Sequence, residues 1–144
     1  RAGRAALQAC AGDRRKGAGP NHPGVATELN NLAELYDSQG LYAQAESFFK
    51  RSLAIREKSL GPNHPDVARS LSSLAGLYYY QGQYSQAEPL YMRSLSIWEK
   101  VLGPDHPDVA TTLENMAALY RESGREKEAE PLEKRAAAIR AIQR

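Results

Sequence analysis

The sequence lacks the features on which several protein classes depend. Its single cysteine, Cys10, excludes an intrachain disulfide and a multi-cysteine metal site, and it favours a reducing, cytoplasmic setting. No apolar run approaches the roughly 18–20 residues that span a bilayer, and the first ten residues lack the apolar core of a signal peptide. We therefore expect neither a membrane protein nor a disulfide-stabilised secreted one.

An excess of charge of one sign is also missing from most of the chain. The net charge is +2, whereas residues 1–18 carry five Arg or Lys residues against Asp13, so the leader is +4 and the remainder is −2. A nearly neutral body gives no support for a nucleic-acid-binding surface. We predict that residues 1–18 are a basic leader, either disordered or forming a short helix, and that Arg14-Arg15-Lys16 is a solvated linker.

What the chain does contain is an internal repeat. Gly-Pro-Asn-His-Pro at 19–23 recurs at 61–65, and Gly-Pro-Asp-His-Pro follows at 103–107, so the period is 42 residues. Residues 19–60 and 61–102 are identical at 25 of 42 positions, which indicates duplicated units with one structure. We predict three structural repeats, at 19–60, 61–102 and 103–144.

Each repeat is predicted to form two helices. In the middle repeat, the apolar residues Val67, Leu71, Leu74 and Tyr78 have the spacing of an amphipathic helix, and Gly82 suits its end. A second helix is predicted from Tyr84 to Leu102. The predicted helices therefore span about 24–39, 42–60, 65–81, 84–102, 107–123 and 125–143. A loop of two or three residues makes each pair antiparallel, and stacking covers the apolar faces of neighbouring pairs.

The residue pattern resembles the tetratricopeptide repeat family, in the 42-residue form of kinesin light chain and nephrocystin-3. The matching residues are Leu29, Leu32-Ala33, Tyr36, Gly40, Tyr42, Ala45 and Phe49, then Leu71, Leu74-Ala75, Tyr78, Gly82, Tyr84, Ala87 and Tyr91. The resemblance implies an all-α, right-handed α-solenoid of three stacked antiparallel helix hairpins. It also implies a module that binds proteins or peptides.

The third repeat departs from this pattern in its second helix. Glu126 and Glu133 stand where the earlier repeats have aromatic residues, and Ala136-Ala137 replaces Ser-Leu. A terminal hairpin needs a polar outer face. We therefore predict that the last helix is of the capping type and ends the array.

Three histidines, His22, His64 and His106, recur once per linker and raise the possibility of metal or acid–base chemistry. Their separation of 42 residues places them on successive hairpins, too far apart to share one metal ion. We favour a turn role for them, and a first-turn charge role for Asp66 and Asp108. No catalytic set and no phosphate-binding loop is evident. The sequence therefore predicts no enzyme activity, no cofactor and no metal.

The resemblance implies that the first helix of each hairpin lines a concave ligand-binding face. Among their non-core positions, the candidate peptide-binding residues are Thr27, Asn30, Asn31, Glu34, Arg69, Ser72, Ser73, Tyr79, Thr111, Asn115 and Arg121. Asn31 and Asn115 would hydrogen-bond the backbone of an extended peptide. Since Tyr78, Tyr79 and Tyr80 cannot all face one core, one of them is expected to be an exposed anchor.

The sequence thus predicts a protein-binding adaptor or scaffold whose ligand lies on the concave face. The alternative is a structural or self-associating repeat array inside a larger signalling protein, acting through its ends with Ile97 and Trp98 as contact residues. Binding to chaperone tails is disfavoured, because the groove lacks lysines and Glu34 would repel a terminal carboxylate. Neither a nucleic-acid nor a membrane partner is expected.

Overall fold

The computed structural model describes residues 22–143. Six helices follow in order: α1 Pro23–Ser38, α2 Tyr42–Leu60, α3 Pro65–Tyr80, α4 Tyr84–Leu102, α5 Pro107–Glu122 and α6 Glu126–Ile142. They pair as α1–α2, α3–α4 and α5–α6, and each hairpin packs on the next through α2–α3 and α4–α5. The predicted all-α stack of three hairpins is confirmed. The leader at 1–18 lies outside the described residues, so its predicted state stays a prediction. The predicted repeat boundaries stay predictions as well.

Each hairpin begins with a histidine that caps the helix. The Nδ1 atoms of His22, His64 and His106 accept hydrogen bonds from the backbone N–H two residues later, at 2.9, 3.0 and 3.1 Å. Ser, Thr, Asp and Asn commonly satisfy a free helical N–H in this way, and here an imidazole does so ahead of a first-turn proline. The predicted turn role of the histidines is therefore confirmed.

Glycines with positive φ separate the helices. Gly82 has φ 77°, and the N–H of Gln83 donates to the carbonyl of Tyr78 at 2.8 Å, a C-terminal cap in which the chain reverses within three residues. Gly103, between the second and third hairpins, has φ 92° and ψ 158°, a region that is essentially restricted to glycine. The same two conformations recur in the other linkers, so the repeat in sequence is also a repeat in backbone geometry.

The core extends along the stack. One cluster joins all three hairpins through residues that include Ala33, Phe49, Ala75, Tyr78, Tyr91, Ala117 and Leu119. A second joins the last two hairpins through residues that include Leu71, Leu113, Ile97, Trp98 and Ile139. Ile97 and Trp98 are 2% and 4% exposed. They belong to the core, so the prediction that they are contact residues for self-association is wrong.

Side-chain hydrogen bonds also follow the repeat. The hydroxyls of Ser52 and Ser94 donate to the carbonyls of Ala26 and Ala68 at 2.7 and 2.9 Å, which joins the two helices of the first and second hairpins. Each serine is fully buried, and its polar group is satisfied. In the third hairpin Ala136 occupies the corresponding position, so the α5–α6 pair does without this bond.

A tyrosine–glutamate contact connects successive hairpins. Tyr78 Oη donates to Glu46 Oε2 at 2.8 Å, and Tyr120 Oη donates to Glu88 Oε2 at 2.9 Å, one repeat later. Arg125 Nη1 also donates to Glu88 Oε1 at 2.7 Å. The Arg125 guanidinium lowers the pKa of Glu88, with the Tyr120 hydroxyl adding to the effect. Glu88 thus stabilises the second interface in its ionised form.

We expect Glu88→Gln to lower the free energy of unfolding by about 1–2 kcal/mol at neutral pH, since it weakens two charge-assisted hydrogen bonds. Because the folded-state pKa of Glu88 lies below its usual value, its stabilisation is present above the unfolded-state pKa. That stabilisation is lost as the pH falls through the folded-state value. Urea unfolding of both chains between neutral pH and about pH 3 should therefore give converging stabilities. A difference that stayed constant with pH would contradict the assignment.

Candidate peptide-binding groove

Two adjoining pockets of about 280 and 290 Å³ lie on the face formed by α1, α3 and α5. The first, the tyrosine pocket, is lined by Glu34, Asp37, Phe49, Ser72, Ser73, Gly76, Leu77, Tyr79, Tyr80, Tyr91, Asn115 and Ala118. The second, the arginine pocket, is lined by Asn30, Glu34, Arg56, Arg69, Ser72, Ser73, Trp98, Asp108, Thr111, Thr112 and Asn115. Glu34, Ser72, Ser73 and Asn115 line both. We call the two pockets together the groove.

The groove brings together eight of the eleven residues predicted to bind a peptide. These are Asn30, Glu34, Arg69, Ser72, Ser73, Tyr79, Thr111 and Asn115. Thr27, Asn31 and Arg121 line neither pocket. Most of the candidates selected by helical spacing therefore lie in one groove, and the three exceptions each have a local cause.

Asn31 lies outside because of its position in the stack. Asn31, Ser73 and Asn115 are one repeat apart in register, and Asn115 lines pockets that are otherwise formed largely by the preceding hairpins. Within residues 22–143 no hairpin precedes α1, so Asn31 has no corresponding pocket to line. The expected matched pair of amides, Asn31 with Asn115, is not present in the groove.

Arg121 and Thr27 are engaged by other residues. Arg121 donates through Nε and Nη2 to the two carboxylate oxygens of Glu133 on α6, at 2.6 and 2.5 Å. The Thr27 hydroxyl donates to the carbonyl of Pro23 at 3.3 Å and accepts from Arg56 Nη2, also at 3.3 Å. Arg121 therefore already has a carboxylate partner, while Thr27 contacts the groove only through Arg56.

Three consecutive tyrosines end α3, and their exposure differs widely. Tyr78 is 5% exposed and Tyr80 is 75% exposed, which confirms that at least one of the three faces solvent. Tyr79 is partly buried, with its ring centroid 5.2 Å from that of Tyr80 and 5.8 Å from that of Tyr84. Burial raises the pKa of Tyr79, and the Glu122 carboxylate adds to this rise. Tyr80, one of the three tyrosines expected to include an exposed anchor but not one of the eleven candidate residues, is thus the most exposed aromatic residue of the pocket.

Tyr91, on α4, forms part of the floor of the tyrosine pocket. Its side chain is 4% exposed, and a Cβ atom placed on Gly76 would lie 3.7 Å from its hydroxyl oxygen. Burial raises the pKa of Tyr91 to about 12, so the hydroxyl stays protonated and can donate a hydrogen bond. Sequence reasoning missed Tyr91 as a site residue because aromatic residues of the second helices were assigned to the core alone.

Arg56, on α2, contributes a buried positive charge to the arginine pocket. It is 7% exposed and donates to Ser70 Oγ at 2.7 Å, Thr27 Oγ1 at 3.3 Å and the Asp66 carbonyl at 3.4 Å. Burial lowers the pKa of Arg56. Sequence reasoning missed it too, although aligning the repeats would have placed it in register with Arg140, which also follows an apolar core residue.

Arg69, on α3, also lines the arginine pocket. It donates to the Asp66 carboxylate at 2.7 Å, and its guanidinium carbon is 5.8 Å from the Trp98 ring centroid. A cation at that distance is attracted by the face of the ring. The pocket therefore holds one arginine paired with a carboxylate and one, Arg56, held by uncharged groups.

The described residues show neither a cluster of metal ligands nor a membrane-spanning helix. In residues 22–143 no group of three or more His, Cys, Asp or Glu residues could hold a metal ion. None of the six helices is long and apolar enough to cross a bilayer. The side chains that line the groove offer hydrogen-bonding, charged and aromatic groups.

Comparison with known proteins gives a family match along most of the chain. The family model described as tetratricopeptide repeat matches residues 2–58, 29–99 and 66–141. The first match begins within the basic leader. Proteins built from this repeat are generally interaction modules and are typically non-catalytic. No curated protein matches the chain in sequence.

Solved structures with the same fold include kinesin light chain relatives. BtubC (BKLC) from P. vanneervenii superposes with a TM-score of 0.81 at 27% identity, covering 86% of this chain and 50% of that one. A kinesin-light-chain-type protein with nearly identical TPR-like repeats, from Podosopora anserina, gives a TM-score of 0.75 at 27% identity, covering 91% and 62%. The chain thus spans half to three-fifths of the length of these structures, and the predicted resemblance is confirmed.

Proposed function

The chain belongs to the tetratricopeptide repeat family, and we propose that it is an adaptor or scaffold module whose groove binds an extended segment of a partner protein. The observation that carries this proposal is the groove itself. It crosses all three hairpins, and eight side chains selected by helical spacing for peptide binding line it. A continuous surface of this length suits an extended segment better than a compact small molecule.

Small residues make room in the tyrosine pocket. Gly76 and Ala118 occupy the same register position on α3 and α5, and both line the pocket beneath Tyr80. A large aromatic side chain beside a recess is the usual form of an interface anchor. We infer that a side chain of the bound segment enters the recess and packs against Tyr80.

Polar groups suited to a peptide backbone lie where the two pockets meet. Ser73 and Asn115 line both pockets, and neither side chain is hydrogen-bonded to another residue within 22–143. The Asn115 amide can donate and accept at once, as an extended backbone requires. These two residues, in place of the expected Asn31–Asn115 pair, are our candidates for backbone recognition.

The alternative, a structural or self-associating array inside a larger protein, would need a different surface. Ile97 and Trp98, the contact residues suggested for it, are buried in the core. Within residues 22–143 the exposed large apolar side chains on the second helices are spread over α2, α4 and α6, and they are Tyr42, Met92, Val101, Leu102 and Ile142. Isolated exposed residues of this kind are normal on monomeric proteins and do not favour self-association.

Binding to a library of blocked random decapeptides tests the proposal. We expect the selected peptides to bind the double variant Tyr80→Ala/Asn115→Ala at least about tenfold more weakly than wild type, a loss of about 1.4 kcal/mol. Met92→Ala is the matched control, because Met92 is 52% exposed but lies outside both pockets. Fluorescence anisotropy gives the affinities, and circular dichroism checks that helicity is unchanged. Equal affinity for wild type and the double variant would refute the groove as the binding surface.

A further inference from the structure

The repeat allows two equivalent arginines to be compared directly. Arg56 and Arg140 occupy the same register position at the end of the second helix of the first and third hairpins. Both donate from Nη2 to the equivalent threonine of the first helix, Arg56 to Thr27 and Arg140 to Thr111. The two guanidinium groups therefore share one contact with the first helix of their own hairpin, although only Arg56 is also bonded to the following hairpin.

The two arginines differ in the partner of their charge. Arg140 donates to both carboxylate oxygens of Glu114, through Nη2 at 3.0 Å and Nε at 3.3 Å. The residue in register with Glu114 in the first hairpin is Asn30. An amide thus replaces the carboxylate beside Arg56.

At this position two polar atoms have no hydrogen-bond partner among the described residues. Arg56 Nε and Asn30 Oδ1 are both buried and make no hydrogen bond within residues 22–143. Asn30 instead donates from Nδ2 to Glu34 Oε2 at a long 3.4 Å. A buried hydrogen-bonding group without a partner is destabilising, so such pairs of atoms are uncommon in folded proteins.

Other carboxylates near the pocket do not supply what Arg56 lacks. The carboxylate of Asp66 is held by Arg69 at 2.7 Å, and only its backbone carbonyl contacts Arg56. Glu34 and Asp108 line the pocket, but neither forms an ion pair with Arg56 in the described structure. Arg56 as a whole is more than nine-tenths buried, and its guanidinium is held by two hydroxyls and one carbonyl.

We propose that the arginine pocket binds an aspartate or glutamate side chain of the partner segment. The carboxylate of this side chain contacts Arg56 in the way that the Glu114 carboxylate contacts Arg140. The proposal rests on the peptide-binding function above and names one residue class that the segment must carry. The pocket, at about 290 Å³, has room for such a side chain. A charged hydrogen bond to a guanidinium is stronger than a neutral one, and it would offset the burial of the positive charge.

The third hairpin also supplies the decisive variant. Asn30→Glu introduces the residue that the equivalent site already holds, so Arg56 gains an internal carboxylate that competes with the ligand. Asn30→Gln is the matched control, because it has the same length and shape without the charge. Both substitutions lie on a helix at a half-buried position whose equivalent tolerates glutamate, so both chains should fold.

The test is selection from the same blocked decapeptide library by wild type, Asn30→Gln and Asn30→Glu. We expect wild type and Asn30→Gln to enrich Asp or Glu at one fixed distance from the residue that enters the tyrosine pocket. Asn30→Glu should bind the same acidic peptides at least about tenfold more weakly, a difference of about 1.4 kcal/mol. Peptides with that acidic residue changed to Asn or Gln should bind all three chains alike.

The contrary outcomes separate this proposal from the one on which it rests. Peptide selection without an acidic preference, or with an equal preference in Asn30→Glu, would overturn the carboxylate site alone. The selection is repeated with a second decapeptide library whose C-termini are free. Binding to Arg56 that appears only with this second library would overturn the assignment to a side chain. If wild type selected no peptide, both proposals would fail.

Discussion

We expect Leu119→Ala to lower the free energy of unfolding by about 3 kcal/mol, because it removes buried methyl groups and leaves a cavity. Leu119 is 1% exposed and belongs to the cluster that joins all three hairpins. Since a domain of this size is stabilised by roughly 5–15 kcal/mol, the loss is a large fraction of the total. Equilibrium urea unfolding, followed by circular dichroism, should show a lower midpoint with an unchanged slope.

The chain supplies a control at the same register position. Leu35 stands two repeats before Leu119, on α1, but it is 41% exposed. Leu35→Ala makes the same chemical change but removes much less buried apolar surface. It should therefore lower the free energy of unfolding by about 1 kcal/mol or less. Equal losses for Leu35→Ala and Leu119→Ala would contradict the packing of α5 between its neighbours.

Gly76→Leu should abolish peptide binding while leaving the fold intact. Gly76 lies on α3 in ordinary helical geometry and lines the tyrosine pocket, where a Cβ atom would meet only Tyr91 Oη, at 3.7 Å. Leucine favours a helix more than glycine does, by roughly 0.5–1 kcal/mol, so stability should be equal or higher. The added side chain occupies the recess that we assign to the ligand. Affinity for the selected peptides should therefore fall by about 30-fold or more, equivalent to about 2 kcal/mol.

Gly76→Ala is the control that distinguishes two causes of weaker binding by Gly76→Leu, namely filling of the pocket and the loss of glycine itself. The third hairpin already has alanine at this position, Ala118, and the new methyl group would be in ordinary van der Waals contact. We expect Gly76→Ala to bind within a few-fold of wild type and to unfold at a higher urea concentration. Full binding by Gly76→Leu would show that the recess is not used.

The helices could be predicted closely because local signals agree at each boundary. Pro65 and His64 fix the start of α3, Gly82 fixes its end, and the 42-residue repeat shows that the same signals act three times. Predicted and observed helix limits differ by at most one residue. Periodicity also selected side chains most of which line one groove, since side-chain direction follows directly from helical geometry.

The site could not be predicted fully, because burial and pairing depend on neighbouring hairpins. Arg121 was assigned to the ligand, but a residue on α6, Glu133, pairs with it. The role of Arg56 depends on a comparison between Asn30 and Glu114 that becomes visible only when the repeats are superposed. Such contacts join residues far apart in sequence, and no local pattern in one helix specifies them.

The most direct test of the account is to find which surface the bound segment touches. Two variants are prepared with the photoreactive residue p-benzoyl-phenylalanine. In one it replaces Tyr80, in the groove, and in the other it replaces Met92, on α4. Both positions are more than half exposed. Each chain is irradiated with the tightest-binding blocked decapeptide, and mass spectrometry locates the cross-link. We predict cross-linking from position 80 and none from position 92. Cross-linking from position 92 alone would contradict a groove-bound ligand and place the partner on the second helices.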